Sequence, residues 1–369
     1  MSINSKLEIN DPLLLQIANH FNLEGSIKSF DKIGSGHIHQ TFHLRSRTDS
    51  ILLQRINSQV FPKVDVLQNN LRTIEQHFKQ YEPDLDGFGM NYLKLRESDS
   101  KTLYKENTHY WRAFEWIENS QSFDKAPNSE YAFAAAQGFG RFVKILSYLP
   151  ISSIQSSIPN FHNGIRRWNE FEEAFIQADP KRKLDAKQLI EFAQKSSDLL
   201  ISLTQKIDNG IIPTRLAHND TKLNNILFQS EIPKIKCVID LDTVMKGSIL
   251  FDFGDMVRTI PTTANEDCEN LTEINIDEQY FEAICQGYAS QVKNLINETE
   301  KEELLNGAKY MCLIIGLRFL TDFLNGDIYY PTRFENHNLI RARNQFRLVE
   351  ILEEKNLVWK EIINKCFKV

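Results

Sequence analysis

The chain has 369 residues, of which 41% are apolar, and its 43 Lys and Arg against 49 Asp and Glu give a net charge of −6. This composition excludes a disordered chain, and mild acidity without a dense basic stripe argues against a nucleic-acid partner. The N-terminal charges and the short apolar runs argue against a signal peptide and a membrane span. We therefore expect a cytoplasmic, monomeric protein without a membrane partner. Five scattered cysteines without a CxxC pair predict neither a disulfide framework nor a zinc site.

The first 118 residues combine glycine-rich turns with strand-like runs at 51–56 and 110–117. Between these runs, apolar residues recur at three- and four-residue steps over 66–81, which predicts an amphipathic helix. After residue 118 the pattern predicts long helices at 131–148, 184–207, 278–296, 302–324 and 338–352. The interruption at 225–241 predicts a short hairpin. We therefore expect an α+β fold with a β-rich N-terminal lobe (1–118) and a mainly helical C-terminal lobe (119–369).

The strongest motif lies in LAHNDTKLNNILF, where His218, Asp220, Lys222 and Asn225 form the pattern HxDxKxxN. Asp240 follows at the end of an apolar, β-rich run. A carboxylate and a side-chain amide carbonyl are oxygen ligands that suit Mg²⁺, so Asn225 and Asp240 are candidate metal ligands. A carboxylate shortly before the Asn can accept the proton of an incoming hydroxyl, which makes Asp220 a candidate general base. Together these residues predict phosphoryl transfer.

HNDTKLNN followed by VIDLDT resembles the catalytic loop and metal-binding segment of the aminoglycoside phosphotransferase-like (choline kinase-like) kinases, relatives of the eukaryotic protein kinases. HNDTKLNNILF, CVIDLDTVMKGSILFDFGDMVR and RFLTDFLNGDIYY are most similar to segments of the N-acetylhexosamine 1-kinases, which phosphorylate the anomeric hydroxyl of GlcNAc and GalNAc. The resemblance implies a two-lobed protein-kinase-like fold with ATP and Mg²⁺ as cofactors. It assigns nucleotide binding to the N-lobe, and the catalytic loop, metal site and acceptor site to the C-lobe.

The resemblance also implies individual roles. Asp220 is the catalytic base beside the acceptor, Asn225 and Asp240 bind Mg²⁺, and Asp242 is a further metal ligand or supports one. Lys222 contacts the transferred phosphate.

Four residues also have structural interpretations. His218 can fix the loop by hydrogen bonding, whereas Asp242, and Asp252 and Asp255 in FDFGDMVR, can anchor loops or cap a helix.

The nucleotide-side predictions concern the N-terminal lobe. Gly34 and Gly36 permit a turn that covers phosphates with backbone N–H groups, although an ordinary hairpin explains GxG as well. The resemblance makes His37 a contact to the acceptor sugar or a phosphate, and an exposed turn histidine is the alternative. The lysine usual on the third kinase strand is missing, because ILLQRIN offers only Gln54 and Arg55. These two residues lie on opposite faces of a strand, and the spacing does not decide which one faces the nucleotide.

Position alone places a hinge at FEWIENS, where Glu115 and Ile117 would offer backbone groups to adenine.

An acceptor site for a sugar needs hydroxyl-binding polar groups and an aromatic face. The segment GLRFLTDFLNGDIYYP supplies Arg318, Asp322, Asn325, Asp327, Tyr329 and Tyr330. The resemblance favours Arg318 as a contact to the sugar, and the alternative is a helical ion pair between Arg318 and Asp322. We also expect Tyr329 at the acceptor, where the two tyrosines either pack or stack.

These residues predict an ATP-dependent, Mg²⁺-requiring kinase for the anomeric hydroxyl of N-acetylhexosamines. One alternative is a kinase of the same fold acting on an aminoglycoside, choline, homoserine or another sugar. The other is a nucleotide-binding pseudokinase scaffold, which the missing lysine suggests.

Overall fold

The computed structural model describes residues 11–33, 38–97 and 101–368, and the chain divides into two units, Met1–Ser120 and Gln121–Val369. The first unit contains an antiparallel sheet and the second is mainly helical, so the predicted α+β fold class is confirmed.

The described residues of the N-terminal unit form five strands and three helices. The strands are β1 (Ser29–Lys32), β2 (Gln40–Arg45), β3 (Ser50–Ile56), β4 (Tyr104–Glu106) and β5 (His109–Glu115). The helices are α1 (Pro12–His20), α2 (Val64–Gln80) and α3 (Glu82–Phe88). The sheet is antiparallel with the order β1-β2-β3-β5-β4.

Alternation along β3 separates the two faces of this sheet. Ile51 and Leu53 are fully buried and pack with Leu14 and Ile17 of α1 and with Trp111 of β5. The intervening side chains of β3 point to the opposite face. The predicted amphipathic helix forms as α2, and its apolar stripe is buried.

The C-terminal unit is built around a bundle of helices. They are α4 (Ser129–Leu146), α5 (Gly164–Gln177), α6 (Pro180–Asp185), α7 (Lys187–Asp208), α8 (Ile249–Thr259), α9 (Glu278–Val292), α10 (Glu298–Glu302), α11 (Leu304–Leu324), α12 (His337–Glu354) and α13 (Asn356–Phe367). The short strands are β6 (Ser120–Gln121), which contains the boundary between the units, β7 (Arg215–Ala217), β8 (Ile226–Gln229), β9 (Ile235–Val238) and β10 (Met245–Gly247).

Helix α11 is the central element of this bundle and packs against α5, α7, α8 and α12. Its contact with α8 is close, because a Cβ atom on Gly307 would lie 2.8 Å from the carbonyl oxygen of Leu250. By length and hydropathy alone, α11 could cross a membrane, although the short apolar runs of the sequence led us to expect no membrane span. In the structure, 83% of the apolar segment of α11 is buried. Such burial is usual for the core helix of a helical bundle.

The predicted hairpin forms from β8 and β9, with Ile226 opposite Val238 and a bulge between Leu227 and Phe228. Strand β7 lies just before this hairpin in the chain and pairs with β10 just after it. The N–H of Ile239 donates to the carbonyl of Asn225 at 2.9 Å. The loop after β7 and the residue after β9 are therefore held side by side at one end of the hairpin.

Candidate active site

The loop between β7 and β8 brings three of the motif residues into direct contact. The Nζ of Lys222 lies 3.1 Å from Oδ1 of Asp220. The amide Nδ2 of Asn225 donates to Oδ2 of Asp220 at 2.9 Å and to its backbone carbonyl at 2.8 Å. The side chain of Asp220 is 24% exposed, so the carboxylate is positioned by two neighbours and still open to a ligand.

In this loop, Asp220 and Lys222 stabilise each other's charged forms. Burial alone would raise the pKa of Asp220, but the charges of Lys222 and His218 and the hydrogen bonds from Lys222 and Asn225 together hold it below its ordinary value. The carboxylate of Asp220 raises the pKa of Lys222 in turn. At neutral pH the site therefore contains an ionised carboxylate and a protonated amine, which are the states that a proton acceptor and a phosphate contact require.

Asp252 fixes the backbone of this loop from α8. Its carboxylate accepts hydrogen bonds from the N–H groups of His218 at 2.9 Å and Asn219 at 2.7 Å. Its carbonyl accepts the hydroxyl of Thr221 at 2.6 Å. Asp252 is fully buried, and burial raises its pKa to about 6. Asp252 does not cap α8, because Ser248 is the N-cap of that helix. Of its two structural alternatives, Asp252 therefore has the loop-anchoring role.

His218 also has a loop-fixing position. Its ring is fully buried and packs edge-on against Phe139 and Phe142. Its Nε2 lies 3.0 Å from the carbonyl oxygen of Ile239, which connects the loop to the end of β9.

Asn225 and Asp240 supply a donor set that fits Mg²⁺. The Nδ2 of Asn225 faces Asp220, and within the described residues its Oδ1 accepts no hydrogen bond, which leaves an amide oxygen for a ligand. Asp240 is exposed and directly follows Ile239, whose N–H donates to the carbonyl of Asn225. One carboxylate and one amide oxygen, completed by phosphate oxygens and water, suit a magnesium ion bound together with a nucleotide.

The two aspartates after β9 differ in exposure and conformation. Asp240 has a left-handed backbone, with φ 59° and ψ 57°, which Asp and Asn tolerate better than most residues. Asp242 is 3% exposed, and its carbonyl accepts the hydroxyl of Ser157 at 2.7 Å. Asp240 is therefore the more accessible of the two aspartates among the predicted metal ligands.

Asp255 begins a chain of ion pairs, of which the first, with Arg258, is buried. Its Oδ1 accepts from Nε of Arg258 at 2.8 Å, whereas its Oδ2 has no hydrogen-bond partner among the described residues. Arg258 also contacts Glu266 at 3.1 Å, and Glu266 pairs with Arg341 at 2.7 Å. Burial raises the pKa of Asp255. Asp255 lies inside α8, so the predicted capping role is wrong for this residue as well.

Arg318 lies between two aromatic rings. Its Cζ is 5.4 Å from the ring centre of Phe161 and 5.6 Å from that of Tyr330. In the part of the chain that the structure describes, Arg318 donates no hydrogen bond and forms no ion pair. The alternative pairing with Asp322 does not form, because the carboxylate of Asp322 accepts hydrogen bonds from the backbone instead.

The sequence analysis missed Phe161 and His162. His162 is buried, and its Nε2 lies 2.9 Å from the carbonyl oxygen of Asn219, so this segment contacts the catalytic loop directly. Burial lowers the pKa of His162 to about 3, which keeps the ring neutral. No motif or periodicity marks these two residues. Tyr329, by contrast, is 61% exposed, and it is Tyr330 that contacts Arg318.

In the N-terminal unit, Gln54 and Arg55 lie on opposite faces of β3. Gln54 is opposite Thr41 and Arg112 in the sheet, donates to the hydroxyl of Thr41 at 3.1 Å and accepts from Nε of Arg112 at 2.9 Å. Arg55 shares the face of Ile51 and has its Cζ 6.0 Å from the ring of Trp111. The structure thus places the buried guanidinium of Arg112 beside Gln54.

The remaining nucleotide-side residues are only partly described. Gly34, Gly36 and His37 lie outside the described residues. The N–H of Glu115 donates to the carbonyl of Lys94, whereas in the described part of the chain the N–H of Ile117 has no hydrogen-bond partner. The hinge assignment stays a prediction.

Residues 30–291 match the model of the phosphotransferase enzyme family known as APH. The chain belongs to this family. The predicted membership of the aminoglycoside phosphotransferase-like superfamily is thereby confirmed, and this APH protein is a phosphotransferase.

Solved structures share the fold of this APH protein over almost its whole length. It is similar to a microcompartment-associated aminopropanol kinase (TM-score 0.61, 14% identity, 94% of this chain and 98% of that chain). It is also similar to a spectinomycin phosphotransferase bound to ADP and spectinomycin (TM-score 0.60, 15% identity, 93% and 97%). A third neighbour is an ethanolamine kinase of Plasmodium vivax (TM-score 0.54, 14% identity, 86% and 82%).

Proposed function

We propose that this phosphotransferase is an ATP- and Mg²⁺-dependent small-molecule kinase that phosphorylates the anomeric hydroxyl of N-acetylhexosamines. The observation that carries the catalytic part of the proposal is the contact of Asp220 with Lys222 and Asn225, beside the strand end that bears Asp240. A structural neighbour was solved with bound ADP, which supports an adenine nucleotide as the phosphoryl donor.

The chemistry proposed for Asp220 is that of a general base. Its ionised carboxylate accepts the proton of the anomeric hydroxyl while the sugar oxygen forms a bond to the γ-phosphorus and the bond from that phosphorus to ADP breaks. An anomeric hydroxyl is more acidic than an ordinary alcohol, so a carboxylate with a low pKa is a sufficient base. Lys222 stays protonated and would contact the transferred phosphoryl group from its position beside Asp220.

The metal site is proposed on Asn225 and Asp240. Magnesium bound there would neutralise charge that develops on the nucleotide phosphates. Asn225 would have two roles in this site: its Nδ2 donates to the carboxylate of Asp220, and its Oδ1 would be a ligand of the metal.

The charges around Arg318 support a neutral acceptor. Arg167 and Arg318 both contact Phe161: Nη2 of Arg167 donates to its carbonyl at 3.1 Å, and Cζ of Arg318 lies 5.4 Å from its ring centre. Burial, and after it the charge of Arg318, lowers the pKa of Arg167. The carboxylates in this region already have partners: Glu170 with Arg166 and Arg167, Glu266 with Arg258 and Arg341, and Asp322 with backbone N–H groups. A polyamine acceptor would need carboxylates without cationic partners, whereas the guanidinium of Arg318 can donate to hydroxyl and carbonyl oxygens of a sugar.

The experiment that tests this proposal is ADP release with ATP, Mg²⁺ and a panel of acceptors. The panel contains GlcNAc, GalNAc, glucose, spectinomycin, ethanolamine, choline and homoserine. We expect turnover with the N-acetylhexosamines and a product whose phosphorus is coupled to the anomeric proton in NMR spectra.

Each other result identifies an alternative. Preference for an amine-bearing acceptor would overturn the sugar assignment and keep the kinase. If the protein binds nucleotide but releases no more ADP with any acceptor than Asp220→Asn does, the pseudokinase alternative is favoured.

A further inference from the structure

We propose that Asp322 is a positioning residue for the acceptor: its carboxylate fixes the loop 325–330 and, through that loop, the aromatic wall that Tyr330 provides beside Arg318. The inference deepens the proposed function and rests on it, because it assigns the acceptor to the side of the site where Arg318 lies.

The carboxylate of Asp322 is the centre of a converging set of donors. Its Oδ1 accepts the N–H groups of Ile328 at 3.0 Å and Tyr329 at 2.8 Å. Its Oδ2 accepts the N–H of Tyr330 at 2.9 Å and the side-chain amide of Asn338 at 2.9 Å. Asp322 is only 4% exposed, so these four donors replace the water that an ionised carboxylate would otherwise bind. Three consecutive backbone N–H groups are thereby fixed on one side chain.

The rest of the loop needs this support. Gly326 has φ 94° and Asp327 has φ 61°, a left-handed backbone that is unfavourable for most residues with a side chain. Asp327 is held by three contacts: its N–H donates to the carbonyl of Asp322 at 2.8 Å, its Oδ1 accepts from Asn338 at 2.9 Å, and its Oδ2 pairs with Arg182 at 2.7 Å. Residues of α6, α11 and α12 thus fix one tight turn.

Tyr330 is the part of the loop that connects this turn to the site. Its ring centre lies 4.7 Å from that of Phe319 and 5.6 Å from Cζ of Arg318. Its N–H is the last of the three groups that Asp322 holds, so a shift of the turn displaces the ring. Asp322 itself faces the backbone and not the acceptor, which makes it a positioning residue and not a catalytic one.

A carboxylate is required because both oxygens are used as acceptors. In Asp322→Asn one oxygen becomes an NH₂ group that faces backbone donors, and at least one backbone N–H of the loop loses its partner. We expect the KM for the N-acetylhexosamine to rise roughly tenfold to hundredfold, as misplacement of a binding group by about 1 Å can cause. The KM for ATP should change less than about twofold, since the substitution leaves the catalytic loop in place.

The matched control is Lys309→Met on the same helix. Lys309 is 3% exposed and pairs with Glu353 at 2.7 Å, so the substitution removes a polar contact of α11 away from the loop. We expect Lys309→Met to lower Tm and leave both KM values unchanged. If Asp322→Asn lowers Tm as much as Lys309→Met does and leaves the acceptor KM unchanged, Asp322 has only a structural role and the inference is overturned.

A second measurement separates this inference from the proposed function. Hydrogen exchange should show faster exchange of the amides of Ile328, Tyr329 and Tyr330 in Asp322→Asn than in Lys309→Met, whatever the acceptor is. Unchanged protection of these amides would overturn the inference. If protection is lost but no N-acetylhexosamine is phosphorylated by the unsubstituted protein, the positioning role of Asp322 stands and the sugar assignment fails.

Discussion

Two aspartates on packed helices of the C-terminal unit, Asp252 on α8 and Asp322 on α11, hold loops in the same way. Each carboxylate is buried and accepts hydrogen bonds from consecutive backbone N–H groups of a loop. The loop held by Asp252 carries Asp220 and Lys222, whose charged side chains are proposed to perform the chemistry. The loop held by Asp322 places Tyr330 by its backbone conformation. Under the two proposals above, the same arrangement of a buried carboxylate and backbone N–H groups would support both a reacting group and a wall of the acceptor site.

The comparison leads to different kinetic expectations for the two regions. Changes in the catalytic loop or its anchor remove transition-state stabilisation and lower kcat. Changes on the side of Arg318 remove binding that substrate and transition state share, and so raise the KM for the acceptor. The following substitutions test whether the two regions separate in this way.

The largest effect is expected for Asp220→Asn, which keeps the shape of the side chain and removes the proton acceptor. General-base catalysis contributes roughly 10²- to 10⁴-fold to rate, so kcat should fall by about that factor. Calorimetry should show that ATP still binds, because Asp220 is not a proposed nucleotide contact. A variant that keeps near-normal kcat would remove Asp220 from the role of base.

A smaller effect is expected at Asp240, where two substitutions separate charge from backbone strain. Asp240→Asn tolerates the left-handed backbone, whereas Asp240→Ala adds conformational strain. If the carboxylate binds Mg²⁺, both variants should raise the Mg²⁺ concentration for half-maximal activity by roughly tenfold or more. Calorimetry of ATP binding with and without Mg²⁺ gives a second readout. An unchanged metal requirement in both variants would refute the ligand role.

Asp252 should affect stability as a function of pH. Its pKa is raised to about 6 in the folded protein from an ordinary value of 3.8, so the folded state binds more protons between these two pH values. The free energy of unfolding therefore falls as pH rises through this range, and the contribution present below pH 4 is lost above pH 6. This pKa shift corresponds to a loss of about 3 kcal/mol in the free energy of unfolding between the two pH limits.

The check is chemical denaturation of the unsubstituted protein and of Asp252→Asn between pH 4 and pH 7. The difference in unfolding free energy between the two should change across this range, because only one of them contains the titrating group. Asp198→Asn, on the exposed surface of α7, is the matched control and should show no such change. A pH-independent difference for Asp252→Asn would contradict the raised pKa.

The fold and the catalytic loop could be predicted from the sequence because both depend on patterns that are local in the chain. The stripe of α2 and the hairpin of β8 and β9 follow from periodicity and turn residues. The residues of HxDxKxxN lie within eight positions, so one turn brings Asp220, Lys222 and Asn225 together.

The acceptor side could not be predicted in the same way, because its contacts join distant parts of the chain. Phe161 approaches Arg318 from a segment more than a hundred residues earlier, and no motif marks it. The spacing of Arg318 and Asp322 left a helical ion pair open as an alternative, but three backbone N–H groups compete better for the carboxylate than one side chain does. Whether Tyr329 or Tyr330 faces the site depends on the conformation of the turn, which the two adjacent tyrosines do not reveal.

The smallest kinetic effect is expected for Arg318→Lys. Lysine keeps the positive charge but loses the planar group that lies between the rings of Phe161 and Tyr330 and that donates several hydrogen bonds in fixed directions. Loss of one charge-assisted hydrogen bond should raise the acceptor KM roughly tenfold, with kcat and the KM for ATP nearly unchanged. Steady-state kinetics with each substrate varied in turn provides the check. If Arg318→Lys instead lowered kcat as strongly as Asp252→Asn, the two regions would act as one unit, and the separation of catalysis from acceptor binding would be wrong.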